Sequence, residues 1–235
     1  MESDRRPLKS RSWPVMHRLA AWLARRAVTP NQVSVAGMIF GVAAGCCLAA
    51  TDAANEESVW TDRVLLLAAA AFVQLRLLCN LIDGMVAVER GKGTRVGVLY
   101  NELPDRVCDV AIFVGAGYAA ASEPVLGWLA AVLAVATAYV RAVGKAEGAG
   151  NDFCGPMAKP HRMAVVTAAC ALTACWPAAW GNVLPRRVAF EDGPAASVSF
   201  LSMGLLVVAV GSLVTCARRT VRIARRLDRG GTGGA

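Results

Sequence analysis

The sequence predicts an all-α integral membrane protein: six transmembrane helices preceded by an N-terminal amphipathic helix lying in the membrane interface. Two observations carry this expectation. The 235 residues are 56% hydrophobic and only 18% charged, with a mean hydropathy of +0.46, which is too apolar for an ordinary soluble domain. The apolar residues also fall into runs of about twenty, the length that crosses a bilayer as a helix, with the basic residues clustered between the runs.

Residues 1–28 read as a cytoplasmic or interfacial segment. Within it, "WPVMHRLAAWLARRAV" sets Trp13, Met16, Leu19, Ala20 and Leu23 near one face at helical spacing, with arginines elsewhere. Such a helix either lies in the interface or packs on the domain. The segment is too long and too basic for the n-region of a cleavable signal, and several equally apolar runs follow it. Residues 29–220 hold the membrane domain, with spans at about 31–51, 62–84, 103–122, 124–144, 162–180 and 196–217. Residues 221–235 form a basic, glycine-rich tail whose end, "RGGTGGA", has the composition of a disordered stretch.

The connections sort by charge. Arg5, Arg6, Lys9, Arg11, Arg18, Arg25 and Arg26 precede the first span, and Arg90, Lys92 and Arg95 follow the second. Lys145, Lys159 and Arg162 lie between the fourth and fifth, and Arg218, Arg219, Arg222, Arg225 and Arg226 follow the sixth. The other connections are acidic or short, apart from Arg186 and Arg187. The positive-inside rule then puts both termini, and the end of the second span, on the cytoplasmic side of an inner or cytoplasmic membrane. The net charge of +8 belongs to this topology and to anionic lipid headgroups, not to nucleic acid. The eight cysteines sit mostly inside apolar runs without metal-type spacing, as small core residues.

One region departs from the apolar pattern. "CNLIDGMVAVERGKGTRVGVLYNELPDRVCD" gathers Asn80, Asp83, Asn101, Glu102, Asp105 and Asp109 at intervals of three and four. At about 100° per residue, Asn80 and Asp83 share a face of the second span, and Asn101, Asp105 and Asp109 drift by only about 40° per step along the third. Two facing helices thereby offer a cup of oxygen ligands. Carboxylates at a bilayer edge are costly unless a cation compensates them, and hard divalent ions take such oxygens. Gly84 and Ala87 continue the face without bulk, and Gly97 does so opposite, leaving room for a nucleotide or pyrophosphate. Capping and arginine pairing are the alternative. Pro104 fits a first helical turn, which makes Asn101 either an N-cap or a ligand. Arg76, one turn before Asn80, either binds a donor phosphate or pairs with a carboxylate such as Asp109.

These residues resemble the signature of the CDP-alcohol phosphotransferase family, DxxDGxxAR, eight residues, then GxxxDxxxD. Without a gap it falls on Asn80, Asp83, Gly84, Ala87, Val88, Gly97, Asn101 and Asp105, and five of the eight marked positions match. "VTPNQVSVAG", Val28 to Gly37, is similar to the family's lead-in to its first transmembrane helix. The resemblance implies a homodimeric transferase that moves the phosphatidyl group of CDP-diacylglycerol to an alcohol and releases CMP, with Mg²⁺ or Mn²⁺. It implies that Asp83 and Asp105 ligate metal, that Asp105 is also the catalytic base, and that Gly84, Ala87 and Gly97 border the nucleotide. Asn80 and Asn101 replace two of the family's aspartates and can ligate through amide oxygens, with two negative charges lost. Asp109 is the obvious further ligand. Val88 stands where the family has arginine; Arg90 could supply that cation if Gly91 and Gly93 break the helix.

Arg141, Lys145, Lys159 and Arg162 bring cations to the same face, fit for a phosphorylated acceptor or for topology alone. Glycerol 3-phosphate is the first expectation for that acceptor, an inositol or other polyol phosphate the second. The alternatives are transfer of a soluble CDP-alcohol headgroup to diacylglycerol, a non-catalytic membrane scaffold motivated by the two asparagines and Val88, and a small transporter.

Overall fold

The computed structural model describes residues 13–51, 59–89, 97–119, 122–175 and 199–231. The loop cations Arg90, Lys92, Arg95, Arg186 and Arg187, the glycines Gly91 and Gly93, and the residues before Trp13 lie outside these segments. The described residues form seven helices: α1 (Pro14–Arg25), α2 (Pro30–Ala50), α3 (Val59–Glu89), α4 (Gly97–Tyr118), α5 (Pro124–Ala146), α6 (Lys159–Cys175) and α7 (Phe200–Gly231).

The "TPNQ" sequence sets the start of α2. Thr29 is the N-cap, its hydroxyl accepting from the Gln32 N–H at 3.3 Å while the Gln32 side chain accepts from the Thr29 N–H at 2.8 Å. Pro30 fills the first helical position, where its missing N–H costs nothing. Just before the cap the chain reverses through Ala27 at φ 59°, which turns α1 back onto the domain.

Met16, Leu19 and Leu23 of α1 pack with buried Ala20 against Val33, Ile82, Met85 and Val86. Trp13, expected on that face, is exposed, as are Val15 and Trp22 on the other side. One stripe of α1 therefore binds the protein, and Trp13 and Trp22 stay exposed.

Among the described residues, four helices are long and apolar enough to cross a membrane: Pro30–Ala50, Trp60–Val88, Pro124–Ala146 and Phe200–Asp228. The other two expected spans correspond to α4, whose first half carries Glu102, Asp105, Arg106 and Asp109, and to α6, which has 17 described residues and opens on Lys159, His161 and Arg162. Both give up hydropathy to the polar groups of the site.

Two helices outrun their apolar sequences. α4 begins at Gly97, so Asn101 lies inside the helix and does not cap it, and Pro104 sits beyond the first turn. α7 continues through the arginines to Gly231, so helical structure crosses the expected boundary at 220 and 221.

Neighbouring helices close a ring in the order α2, α3, α6, α7, α5, α4 and back to α2. The α2–α4 contact is backbone on backbone: a Cβ built at Gly45 would lie 2.3 Å from the Ala111 carbonyl oxygen, and one at Gly115 2.2 Å from that of Gly45. Small residues permit this approach, as is usual where membrane helices meet. Below it, Leu48, Val73, Ile112, Phe113, Met163 and Leu205 fill the core. The close seam brings α2 and α4 together where the polar residues of α3 and α4 meet.

Candidate active site

Asp109, in the fourth turn of α4, is wholly buried and both of its carboxylate oxygens are engaged. Arg76 of α3 donates to Oδ1 at 3.0 Å, and Arg162 of α6 donates to Oδ2 at 2.8 Å. Arg162 also donates from Nη1 to the Thr137 hydroxyl at 3.0 Å and the Met157 carbonyl at 3.2 Å. Four helices and the α5–α6 loop are thereby tied to one carboxylate. Of the two alternatives for Arg76, the structure displays the pair with Asp109, at a point with no exposed surface.

One turn nearer the surface, Asp105 is more loosely held. Arg76 Nη2 reaches its Oδ1 at 3.4 Å and its carbonyl at 3.3 Å, Arg106 lies 3.8 Å from Oδ2, and Lys159 Nζ is in contact with Oδ1. With the Asn80 amide turned to suit its neighbours, its nitrogen donates to Asp105 Oδ1 at 3.2 Å and its oxygen accepts from Lys159 Nζ at 2.7 Å. Lys159 is thus inserted between the residues at the first and fourth positions of the motif. Its side chain keeps 22% of its exposure, whereas those of Arg76 and Arg162 keep 1% and 3%.

Asp83 faces this group from α3. It is buried, accepts from the Ser34 hydroxyl of α2 at 2.7 Å, and lies within electrostatic reach of Asp105. Gly84 and Ala87 are partly exposed beside it, and Val88 is fully at the surface. The backbones of Gly97 and Asn101 belong to α4.

The four cations expected to meet an acceptor separate into two pairs. Arg162 and Lys159 point inward to Asp109 and Asp105. Arg141 bonds Glu102 at 2.6 Å and lies over the Phe153 ring at 5.7 Å, and Lys145 is exposed one turn further along α5.

Sequence reasoning missed Ser34 and Thr137. Both are hydroxyls in otherwise apolar helices, and that isolation was the available signal. It also missed the anchoring of the α5–α6 loop. Asp152 is buried there, accepts from the Cys154 N–H at 2.8 Å, and pairs with Arg222 at 3.3 Å and Arg226 at 3.6 Å. Burial works to raise the Asp152 pKa, but the bonds from Cys154 and the two guanidinium groups outweigh it and hold the carboxyl below its usual range. Buried Arg219 completes the clasp, donating to the carbonyls of Cys154 at 2.9 Å and Thr137 at 2.7 Å.

A carboxylate pair on facing helices, in the order and spacing of the motif, is thus assembled at one end of a helical ring. The family model for CDP-alcohol phosphatidyltransferase matches residues 27–213. The chain belongs to that family. A phosphatidylinositol phosphate synthase of Mycobacteroides abscessus is 30% identical over 86% of this chain and 80% of its own length. Among solved structures, the Mycobacterium tuberculosis phosphatidylinositol phosphate synthase in complex with manganese and citrate is 25% identical, with a TM-score of 0.66 over 89% of this chain and 88% of the other. The same synthase with CDP-DAG bound superposes with a TM-score of 0.67 at 24% identity, over 90% and 94% of the two chains.

This phosphatidyltransferase is accordingly a multi-pass membrane enzyme of a metal-dependent class that works with Mg²⁺ or Mn²⁺. Its own residues fit a hard cation. Asp83 and Asp105 supply carboxylate oxygens from facing helices, and the ammonium of Lys159 already marks a point where positive charge is held. Among the described residues no group of three His, Cys, Asp or Glu side chains is placed to hold a metal ion.

Proposed function

We propose that the protein transfers the phosphatidyl group of CDP-diacylglycerol to a hydroxyl of an inositol phosphate and releases CMP, at the cytoplasmic edge of the membrane. The observation that carries this reading is the Asp83–Asp105 pair on two facing helices, with Asp105 the more accessible of the two aspartates of α4. The names of the relatives favour an inositol phosphate over glycerol 3-phosphate, reversing the order expected from cationic charge alone.

Asp83 and Asp105 would hold the metal, with the Asn101 amide as a further oxygen ligand, while the Asn80 oxygen is taken by Lys159. When bound, the divalent ion supplies charge neutralisation at the donor pyrophosphate. Gly84, Ala87 and Gly97 border the nucleotide. Asp105 takes the proton of the acceptor hydroxyl as its oxygen bonds to the β-phosphorus, and the bond from that phosphorus to CMP breaks. Arg141 and Lys145 meet the acceptor's phosphate. Asp109 has both oxygens on arginines, so it acts as a positioning residue, holding Arg76 and Arg162.

With α4 and α6 completing the four apolar helices, six spans leave both termini on one side of the membrane, and the clustered arginines favour the cytoplasm as that side. The enzyme works as a homodimer. The contact of Lys159 with Asp105 favours a second reading, a non-catalytic membrane scaffold whose carboxylate is already neutralised. CMP release from CDP-diacylglycerol is assayed with Mg²⁺ or Mn²⁺ against chelator, using an inositol phosphate, glycerol 3-phosphate and free inositol. Metal-dependent release with the inositol phosphate is expected. Release only when a CDP-alcohol meets diacylglycerol reverses the donor, and no release from folded protein with any pair leaves the scaffold.

A further inference from the structure

We infer that Lys159 is a built-in cation of this centre, bridging Asn80 and Asp105 in place of a second divalent ion, so that the chain binds one divalent ion where four carboxylates would hold two. The inference rests on the metal-binding reading of Asp83 and Asp105 given above.

The argument is one of charge and place. Four carboxylates at the motif positions would balance two divalent ions, the arrangement in which two-metal centres clamp both oxygens of a displacement. Here Asn80 and Asn101 remove two of those charges, and Lys159 adds one of opposite sign. Asp83, Asp105 and Lys159 together carry a single negative charge, too little to neutralise two hard dications in a partly buried cup.

The geometry makes the exchange local. Lys159 Nζ touches Asp105 Oδ1 and lies 2.7 Å from the Asn80 oxygen, so the ammonium is coordinated by side chains from the first and fourth motif positions. A carboxylate at 80 could only accept there, whereas the amide also donates to Asp105 at 3.2 Å, holding lysine and aspartate together. Asp83 stands on the other side, with Ser34 as its bonded partner, and is left for the remaining metal.

The test counts metal without using turnover. Mn²⁺ is titrated into the full-length chain in detergent, and the loss of the free-ion electron paramagnetic resonance signal gives the number bound. The wild type is expected to take up one Mn²⁺ per chain, and Lys159→Met combined with Asn80→Asp to take up two. Asn80→Asp alone, which keeps the lysine and guards against a misfolded double variant, is expected to stay at one, as is Lys159→Arg. Two ions in the wild type or in Asn80→Asp alone, or one in a folded double variant, would overturn the inference while leaving the metal-dependent reaction intact. No Mn²⁺ bound by any variant would overturn the metal-binding reading and this inference together.

Discussion

Asp105 and Asp109 stand one turn apart on the same face of α4, and their surroundings differ. Asp109 has no exposed surface and gives one oxygen to each of two buried arginines. Asp105 shares its oxygens among Lys159, Arg76, Arg106 and Asn80, with 11% of its side chain accessible. Depth accounts for the difference: an ion sealed inside a membrane domain must be paired permanently, and one near the edge can exchange partners for substrate or metal. On the proposed reading, the same residue type serves as an anchor at one level and as a reactive group at the next.

The largest expected effect comes from breaking the anchor. Asp109→Asn leaves two buried guanidinium groups without their shared counter-charge and should destabilise the fold by about 3–5 kcal/mol. Thermal unfolding in detergent measures this. If Asp109→Asn keeps its Tm but loses Mn²⁺ binding, Asp109 is a metal ligand and the two roles are reversed. Asp105→Asn sharpens the contrast from the other side. Lys159 can turn to water there, so the fold should survive, while CMP release should fall by about 10²-fold or more through loss of the base.

A smaller effect is expected at Ser34, whose hydroxyl donates to Asp83 at 2.7 Å. Ser34→Ala removes a buried bond to a charged group, a loss of about 1–2 kcal/mol. It should weaken Mn²⁺ binding by roughly tenfold while leaving the helices intact. Unchanged Mn²⁺ affinity would mean that Asp83 is held in place by packing alone.

The same contrast explains what could be read beforehand. Uniformly apolar stretches announced α2 and α5 to within about two residues, because hydropathy and helix coincide there. The ends of α4 and α7 did not, since backbone hydrogen bonds continue past the last apolar residue and hydropathy does not register them. The carboxylates were legible through their spacing on one helix. Arg76 was legible as a partner of Asp109, as one of two alternatives. The partners from α6 were not: Arg162 meets Asp109 across 53 positions of chain, and Lys159 and Arg162 are the same residue types that topology places at that face for its own reasons. A cation that serves the site and one that serves the positive-inside rule look alike until the helices are assembled.

The smallest predicted effect lies at the α5–α6 loop, where Asp152 offers a counterpart to Asp109 whose partners reach solvent. Its carboxylate is buried, but Arg222 and Arg226 are about half exposed, so water and salt screen the pairing and its worth should be under about 1 kcal/mol. Because the folded pKa lies below the ordinary value, the contribution is complete above the usual carboxylate range and fades as pH falls through the lower, folded value. Asp152→Asn should therefore lower Tm by a degree or so at neutral pH and low salt. The gap from wild type should narrow at high salt and close only in strong acid. A gap that persists unchanged into strong acid would assign the loss to the Cys154 N–H bond and to packing, since neither depends on the charge of the carboxylate. Asp109, with both arginines buried, should show almost no such response to salt, and that difference separates an anchor inside the membrane domain from a clasp at its surface.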